Sequence, residues 1–366
     1  MFRFIVSRIS LIVTIIFAIL LVLSDISVLI KPAYLWFFPF LGLLFPYLVI
    51  ANIVFVIIWG FKKRIAIFIP LIVLIFSFPN LRSSFQFSLQ HTNNTRTKKN
   101  LTIKVLSYNV RLFNRFEQEK NYNQSRQRIV KYLEKEKPDI ICLQEFFAEK
   151  GSIAKSGYLS QFNNKKNHYA YYTAKIYNDY YGVVTLSRYP IIRSKVISFE
   201  NSDNISIYCD IVIEKDTVRV FNTHLQSIKF IKRNYDFIDS FKLEYNNKQM
   251  SEIKDISKKL KKAFIMRSKQ VERVSEIIKN TRYQTIVCGD FNDTPVSYTY
   301  RNMSDGLKDA FIESGNGIGN TYNGVFPSYR IDYILHSSKF KAIKFNTGNI
   351  DASDHYPVTA VLLKIK

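Results

Sequence analysis

The order of hydrophobic and polar positions divides the chain in two. Up to about Pro79 it is almost continuously apolar; beyond, short apolar runs alternate with Lys, Asn, Asp and Ser. Within residues 9–30 only Ser10, Thr14, Ser24, Asp25 and Ser27 are polar. Such a run crosses a hydrocarbon core of roughly 30 Å at about 1.5 Å per residue. A second run covers residues 33–60, and a third, shorter and containing Pro70, covers 65–81. No small-residue cleavage site follows the first run and two more come after it, which argues against a signal peptide. The pattern predicts three transmembrane helices in residues 1–81.

Arg3 and Arg8 precede the first span, and Lys62, Lys63 and Arg64 lie between the second and third, whereas the first loop carries only Lys31. Basic residues favour the cytoplasmic side. The N-terminus and the 62–64 turn are therefore expected inside, and everything after a third crossing outside the cytoplasm. If the third run does not cross, the rest of the chain faces inward.

Residues 82–100, ending HTNNTRTKKN, read as a polar linker. From 101 a different organisation begins. LTIKVLSYNV predicts a strand ending near Asn109, and SRQRIVKYLEKEKPD predicts a helix with Ile129, Val130 and Leu133 on one face and Pro138 as its stop. IICLQE is apolar enough for a strand buried on both faces. It ends on Glu145, which either meets a cation or emerges at the sheet edge. Residues 180–191 and the alternating 205–213 read as further strands, VRVFNTHL as another with His224 near its end, and TIVCGDFND as one that places Asp290 and Asn292 just beyond an apolar run. RIDYILH puts Asp332 in mid-strand. ASDHYPVTAVLLKI sets Asp354 and His355 directly before the last strand.

Asn109, Glu145, His224, Asp290 with Asn292, Asp332, and Asp354 with His355 thus recur at strand ends, where a rigid scaffold collects functional side chains. The set is rich in oxygen and lacks Cys, which suits a hard cation such as Mg²⁺ or Mn²⁺. The three cysteines, Cys142, Cys209 and Cys288, each lie in an apolar run. Their odd number and wide spacing fit neither a disulfide framework nor a zinc site. A net charge of +23 permits nucleic acid or an anionic membrane as partner. Lys, Ile and Asn are abundant throughout, so the charge does not require either.

SYNV, LQE, LSRYP, NTHL, GDFND, IDYIL and SDHYPV, in that order, resemble the endonuclease/exonuclease/phosphatase superfamily. It includes pancreatic-type deoxyribonucleases, abasic-site endonucleases, neutral sphingomyelinases and inositol-polyphosphate 5-phosphatases. The resemblance covers residues 101–366 and implies a four-layer α/β sandwich of the deoxyribonuclease type, here preceded by the transmembrane helices. It implies that Glu145 is the principal Mg²⁺ ligand, with Asn109 and Asp354 helping to hold the metal and its waters. Asp290 would orient or deprotonate the attacking water, and Asn292 and His224 would donate to the phosphoryl oxygens. His355, held in its tautomer by Asp332, would stabilise developing charge. Members differ over whether the residue matching Asp290 or His355 is the base.

One stretch departs from the family pattern. Between NTHL and a helix expected near Arg267, residues 227–266 read as an insertion beside the active-site mouth. Phe230, Ile231, Tyr235, Phe237, Ile238 and Phe241 alternate there with Lys229, Lys232, Arg233 and Lys242. It reads either as a basic-aromatic arm against anionic lipid or the third span, or as an ordinary solvated helical pair. The expected activity is that of a membrane-anchored metal-dependent phosphoesterase hydrolysing a phosphodiester or phosphomonoester, of a lipid headgroup or another phosphoester near the bilayer, with a membrane-bound endo- or exonuclease acting on DNA or RNA as the alternative. A scaffold with a retired catalytic fold would not need the complete motif set. Nothing in the sequence points to an obligate protein partner.

Overall fold

The structure, a computed structural model, describes residues 2–87, 101–115, 119–148, 168–176, 179–240, 247–324 and 329–365. Most of the expected linker (88–100), and Phe241 and Lys242 of the expected insertion, lie outside the described residues. The apolar N-terminal runs form α1 (Phe2–Ser27), α2 (Phe38–Phe61), α3 (Phe68–Phe76) and α4 (Phe78–Ser84). Residues 8–27 and 38–61 are each long and apolar enough to cross a membrane. The third run is a broken one, bent by 59° between α3 and α4, so among the described residues two helices are long and apolar enough to cross, or three if the bent pair is one span. The break does not fall at Pro70. It falls at Ser77, ahead of Pro79 in the first turn of α4, where a missing N–H is tolerated.

Polarity in this bundle is turned inward. Thr14, Ser24, Ser27, Asn52 and Ser77 are buried, while Ile12, Ile19 and Ile50 are exposed. Trp59 Nε1 donates to Thr14 Oγ1 at 3.0 Å, and Ser77 and Asn80 donate to Asp25. Polar side chains that satisfy one another between helices suit a bundle surrounded by lipid.

The remainder folds as two six-stranded sheets. One, in the order β11-β12-β1-β2-β4-β3, contains β1 (Thr102–Asn109), β2 (Ile140–Ala148), β3 (His168–Ile176), β4 (Asp179–Ser187), β11 (Phe340–Thr347) and β12 (Val358–Lys364). The other, β5-β6-β7-β8-β10-β9, contains β5 (Ile191–Ser198), β6 (Ile205–Ile213), β7 (Asp216–His224), β8 (Gln284–Asp290), β9 (Lys308–Asp309) and β10 (Asp332–His336). The sheets face each other across Val105, Cys142, Ile207, Cys209, Val220 and Cys288. The cysteines are buried and unpaired, as expected. Ile129 and Leu133 of α5 (Glu119–Glu136) cover one outer face, and Val271 and Val274 of α7 (Asn247–Lys279) cover the other. The result is the four-layer sandwich.

Several expectations shift. β2 continues past Glu145 to Ala148, Asp332 opens β10 instead of lying within it, and β6 is buried along nearly its whole length. The expected insertion forms α6 (Lys232–Asp239) and the first part of α7, which begins at Asn247, twenty residues before Arg267. Leu260, Ala263, Phe264, Val271 and Val274, all buried, keep one helical stripe through the lysines. Among its described residues, the contacts seen are with the first loop and the start of α2: Lys261 lies over the Trp36 ring at 4.7 Å, and Phe264 packs edge-on against Phe40 at 5.5 Å.

Candidate active site

The strand ends converge because of two local irregularities and one bare glycine. In β2, Gln144 and Glu145 together oppose the single Val183 of β4. Such a bulge re-aims a side chain, and Glu145, with φ of 48°, faces a cavity of about 320 Å³. Directly after β1, residues 111–114 all have left-handed backbone, with φ from 44° to 57°, which folds Arg111 back over Asn109. Gly289 has φ of 145°, and a Cβ there would run into the Thr223 carbonyl. That close approach of β7 and β8 sets His224 in register with Asp290.

The eight residues singled out in the sequence come together. Asn109 Nδ2 donates to Asp290 Oδ2 at 3.0 Å and to Glu145 Oε1 at 3.3 Å, tying the two sheets across the site. Asp290 Oδ1 accepts from the Asn292 backbone N–H at 2.7 Å, and its Oδ2 accepts from Asn292 Nδ2 at 3.0 Å. Asn292 Nδ2 also donates to the Leu225 carbonyl, so its amide is already engaged. His355 Nδ1 lies 2.9 Å from Asp332 Oδ2, and its Nε2 3.7 Å from Asp290 Oδ2. Ser353 Oγ donates to the Asn109 carbonyl and fixes the loop that carries Asp354 and His355.

Environment sets the charges. Burial pushes the Asp290 carboxyl up to about 6, with Asp332 adding to the rise while His355, His224 and Asn109 oppose it. Burial alone would lower His355, but the Asp332 and Asp290 carboxylates outweigh it and hold the ring well above the usual imidazole range. His224 goes the other way: burial lowers it, against the pull of Asp290. Asn204 Nδ2 lies 3.2 Å from its Nε2 and also donates to the Leu225 carbonyl. An amide nitrogen can only donate, so this imidazole is neutral and accepts there. Glu145 is raised by burial and by Asp354, with His355, Asn109 and Arg111 opposing.

Two donor sets could hold a cation. Ligand atoms of Asp290, Asp332 and His355 lie within 4.8 Å of one another, but an ion there would have to break the short Asp332–His355 bond. Glu145 and Asp354 fit better. Their side chains are about a quarter exposed to the cavity, at 26% and 25%. They also repel each other, and Arg111 Nε stands 3.4 Å from Asp354 as a cation already does. Oxygen donors with that repulsion to relieve suit a hard divalent ion.

Sequence reasoning missed Arg111, Asn204 and Tyr322, and with them the role of Asp293. The last acid of GDFND also lines the cavity, but its carboxylate is engaged elsewhere; it pairs with buried Arg267 at 3.2 Å and accepts from Thr299 at 2.7 Å. Tyr322 lines the cavity and stacks edge-on against His355 at 5.3 Å. The site's most unexpected neighbour is Leu43 of α2, which also lines the cavity.

With this geometry in hand, similar proteins are informative. No curated protein matches the chain significantly. Among solved structures, an endonuclease/exonuclease/phosphatase family protein from Bacteroides thetaiotaomicron aligns with a TM-score of 0.53 at 17% identity, over 73% of this chain and 100% of its own. One from Bacteroides vulgatus aligns at 0.51 and 15%, over 73% and 100%. One from Leptotrichia buccalis aligns at 0.50 and 15%, over 71% and 99%. At such identities the likeness is one of fold. Residues 7–84 match a domain of unknown function. Residues 106–355 match the Endonuclease/Exonuclease/phosphatase family, and with that match the chain belongs to this family of metal-dependent phosphoric ester hydrolases.

Proposed function

We propose that the protein is a membrane-anchored, Mg²⁺-dependent phosphoesterase that hydrolyses a phosphodiester or phosphomonoester of a lipid headgroup. The observation that carries this reading is that the catalytic cavity and the anchor share a wall. Leu43 lines the cavity that Asp290, Glu145 and His355 also line. A site held at the bilayer meets membrane substrate at high effective concentration. A cavity of about 320 Å³ lies at the small end of small-molecule sites, which favours a headgroup over a polymer groove.

Glu145, with Asn109 and Asp354, would hold the ion. Bound there, Mg²⁺ supplies charge against the phosphoryl oxygens and lowers the pKa of its water. Asp290, ionised above about pH 6, takes the proton of the attacking water. His355, kept cationic by Asp332, faces the negative charge that builds as the ester breaks. His224 becomes a donor once an anionic phosphoryl group raises its affinity for a proton, and Asn292 holds Asp290 in line. The division of roles between Asp290 as base and His355 as cation follows from their opposite surroundings.

The anchor's orientation follows from where the catalytic domain sits. It rests on the Lys31 loop and the start of α2, with Lys31 Nζ 2.7 Å from Glu272 and Phe40 against Phe264. Those contacts are at the opposite end of α2 from Lys62–Arg64. Basic residues held in the cytoplasm therefore put the domain outside. Residues 65–84, about 30 Å long if helical throughout, return the chain to that side as a bent third span. The domain limits proposed with this arrangement are 1–81, 82–100 and 101–366, with α4 running past the first of them to Ser84.

Purified protein in liposomes is expected to release phosphate or a phosphorylated headgroup with Mg²⁺, and to stop with EDTA or on Asp290→Asn. Brisk cleavage of DNA with no activity on any lipid would replace this reading with the nuclease one, which the +23 charge favours. Nuclease binding would also weaken steeply with salt.

A further inference from the structure

The chemistry of phosphoryl transfer asks for charged and polar groups, and the floor of the cavity supplies them. The opposite wall is apolar: Leu43 of α2, Leu260 and Phe264 of α7, Phe230 and the Tyr329 ring. The anchor is held there by contacts on every side. The Leu43 carbonyl accepts from Tyr329 Oη at 2.8 Å. Gly42 sits so close to the Val296 carbonyl that a Cβ would collide with it. Val296, six residues beyond Asp290, is buried among Leu21, Phe45 and Val49 of the bundle. α2 is thus built into the site.

The side chains of Leu43, Leu260, Phe264 and Phe230 cannot bond to water or to a polar substituent, and the Tyr329 hydroxyl is turned to the Leu43 carbonyl, so a small hydrophilic phosphoester would leave this apolar surface wetted at a cost. An alkyl chain would dry it, each methylene withdrawn from water strengthening binding about fourfold. One turn along α2 from Leu43 on the same face is Tyr47, which is 54% exposed and follows the exposed Leu44. A chain lying against Leu43 therefore continues onto apolar surface.

We propose that the phosphoester taken by this site carries an apolar chain, which lies against Leu43, Leu260 and Phe264 while its phosphoryl group meets Asp290 and Glu145. Leu43 is then a specificity-determining residue contributed by the membrane anchor. The proposal rests on the reading of the cavity as a phosphoesterase site.

The test uses the full-length protein in nanodiscs with two matched pairs of substrates: methyl and octyl p-nitrophenyl phosphate, and methyl and octyl monophosphate. For whichever pair is hydrolysed, the octyl ester is expected to have the higher kcat/KM by at least about fifteenfold, the effect of two buried methylenes. Leu43→Trp, which fills the wall, should shrink that ratio severalfold. Leu43→Ala, less demanding on packing, should shrink it to a smaller extent. Partition of the octyl chain into the nanodisc would give a preference that both variants leave unchanged, and that result overturns the proposal, as does equal turnover of methyl and octyl esters. If no member of either pair is hydrolysed with Mg²⁺, the phosphoesterase reading fails and this inference fails with it.

Discussion

The two sheets bring different kinds of side chain to the same cavity. The sheet containing β1, β2 and β12 ends in Glu145 and, ahead of β12, Asp354, both about a quarter exposed. The sheet containing β7, β8 and β10 ends in Asp290 and opens β10 with Asp332, whose side chains are 1% and 0% exposed. Carboxylates exposed to this extent can receive an ion from solvent and keep it hydrated. Buried ones cannot, but burial raises the proton affinity of Asp290. In the proposed mechanism one sheet therefore holds the metal and the other manages protons. Asn109 and His355 cross between them, the first donating to Glu145 and Asp290, the second bonded to Asp332. The proton-handling half of the chemistry is therefore not complete on one sheet.

This division can be tested by removing one side at a time. Asp290→Asn should lower kcat by about 10²–10⁴, the usual worth of a general base, with the Mg²⁺ requirement little altered. Glu145→Gln should do the converse, raising the Mg²⁺ concentration for half-maximal activity by at least about tenfold in a metal titration. If both variants changed the metal requirement equally, the division between sheets would be wrong.

Asp332→Asn probes the link. Wild-type activity should fall as pH drops through about 6, because Asp290 is then protonated, and should persist at high pH while His355 keeps its proton. Without the Asp332 charge both groups lose proton affinity, since Asp332 raises each of them. Both limbs of the pH–rate profile should therefore move to lower pH, with a loss of rate of about tenfold or more. A profile that merely scaled down would assign Asp332 a packing role.

Gly289→Ala attacks the scaffold. The strained φ alone costs on the order of 1–3 kcal/mol, and the collision with Thr223 adds to it, so a lower melting temperature is expected along with lost activity. Lys31→Ala should have the smallest effect. Its ion pair with Glu272 is partly exposed, and such pairs are worth less than about 1 kcal/mol. A larger loss of stability would mean that this contact, and not the Val296 seat, fastens the domain to its anchor.

The site was largely legible in the sequence because its polar residues interrupt apolar strands at their ends, where an unpaired Glu145 or Asp290 stands out. The same logic failed for β5 and β11, whose lysines and serines (IIRSKVIS, FKAIKFNT) mask the strand period on half-exposed positions. It failed for the start of α7 because lysines flank every apolar residue of its stripe. It placed Asp332 inside a strand because Ile331 extends the apolar run without joining β10. Arg111 carries no sequence signal of its own: only the left-handed turn after Asn109 turns it toward Asp354. Leu43 was beyond reach for a plainer reason. In FPFLGLLF it is one leucine among several, and which face of α2 meets the catalytic domain is decided by a chain segment some 250 residues away.

The seating of Val296 in the helical bundle also has a consequence for biogenesis. In the proposed membrane arrangement, the helices that receive it are synthesised before the sheets and enter the bilayer first. The segment just after Asp290 would then close onto a receptor already in place, and maturation of the catalytic centre would wait on insertion. Under that proposal location would act as a built-in licence, because a copy that misses the membrane would lack both the seat and one wall of its cleft.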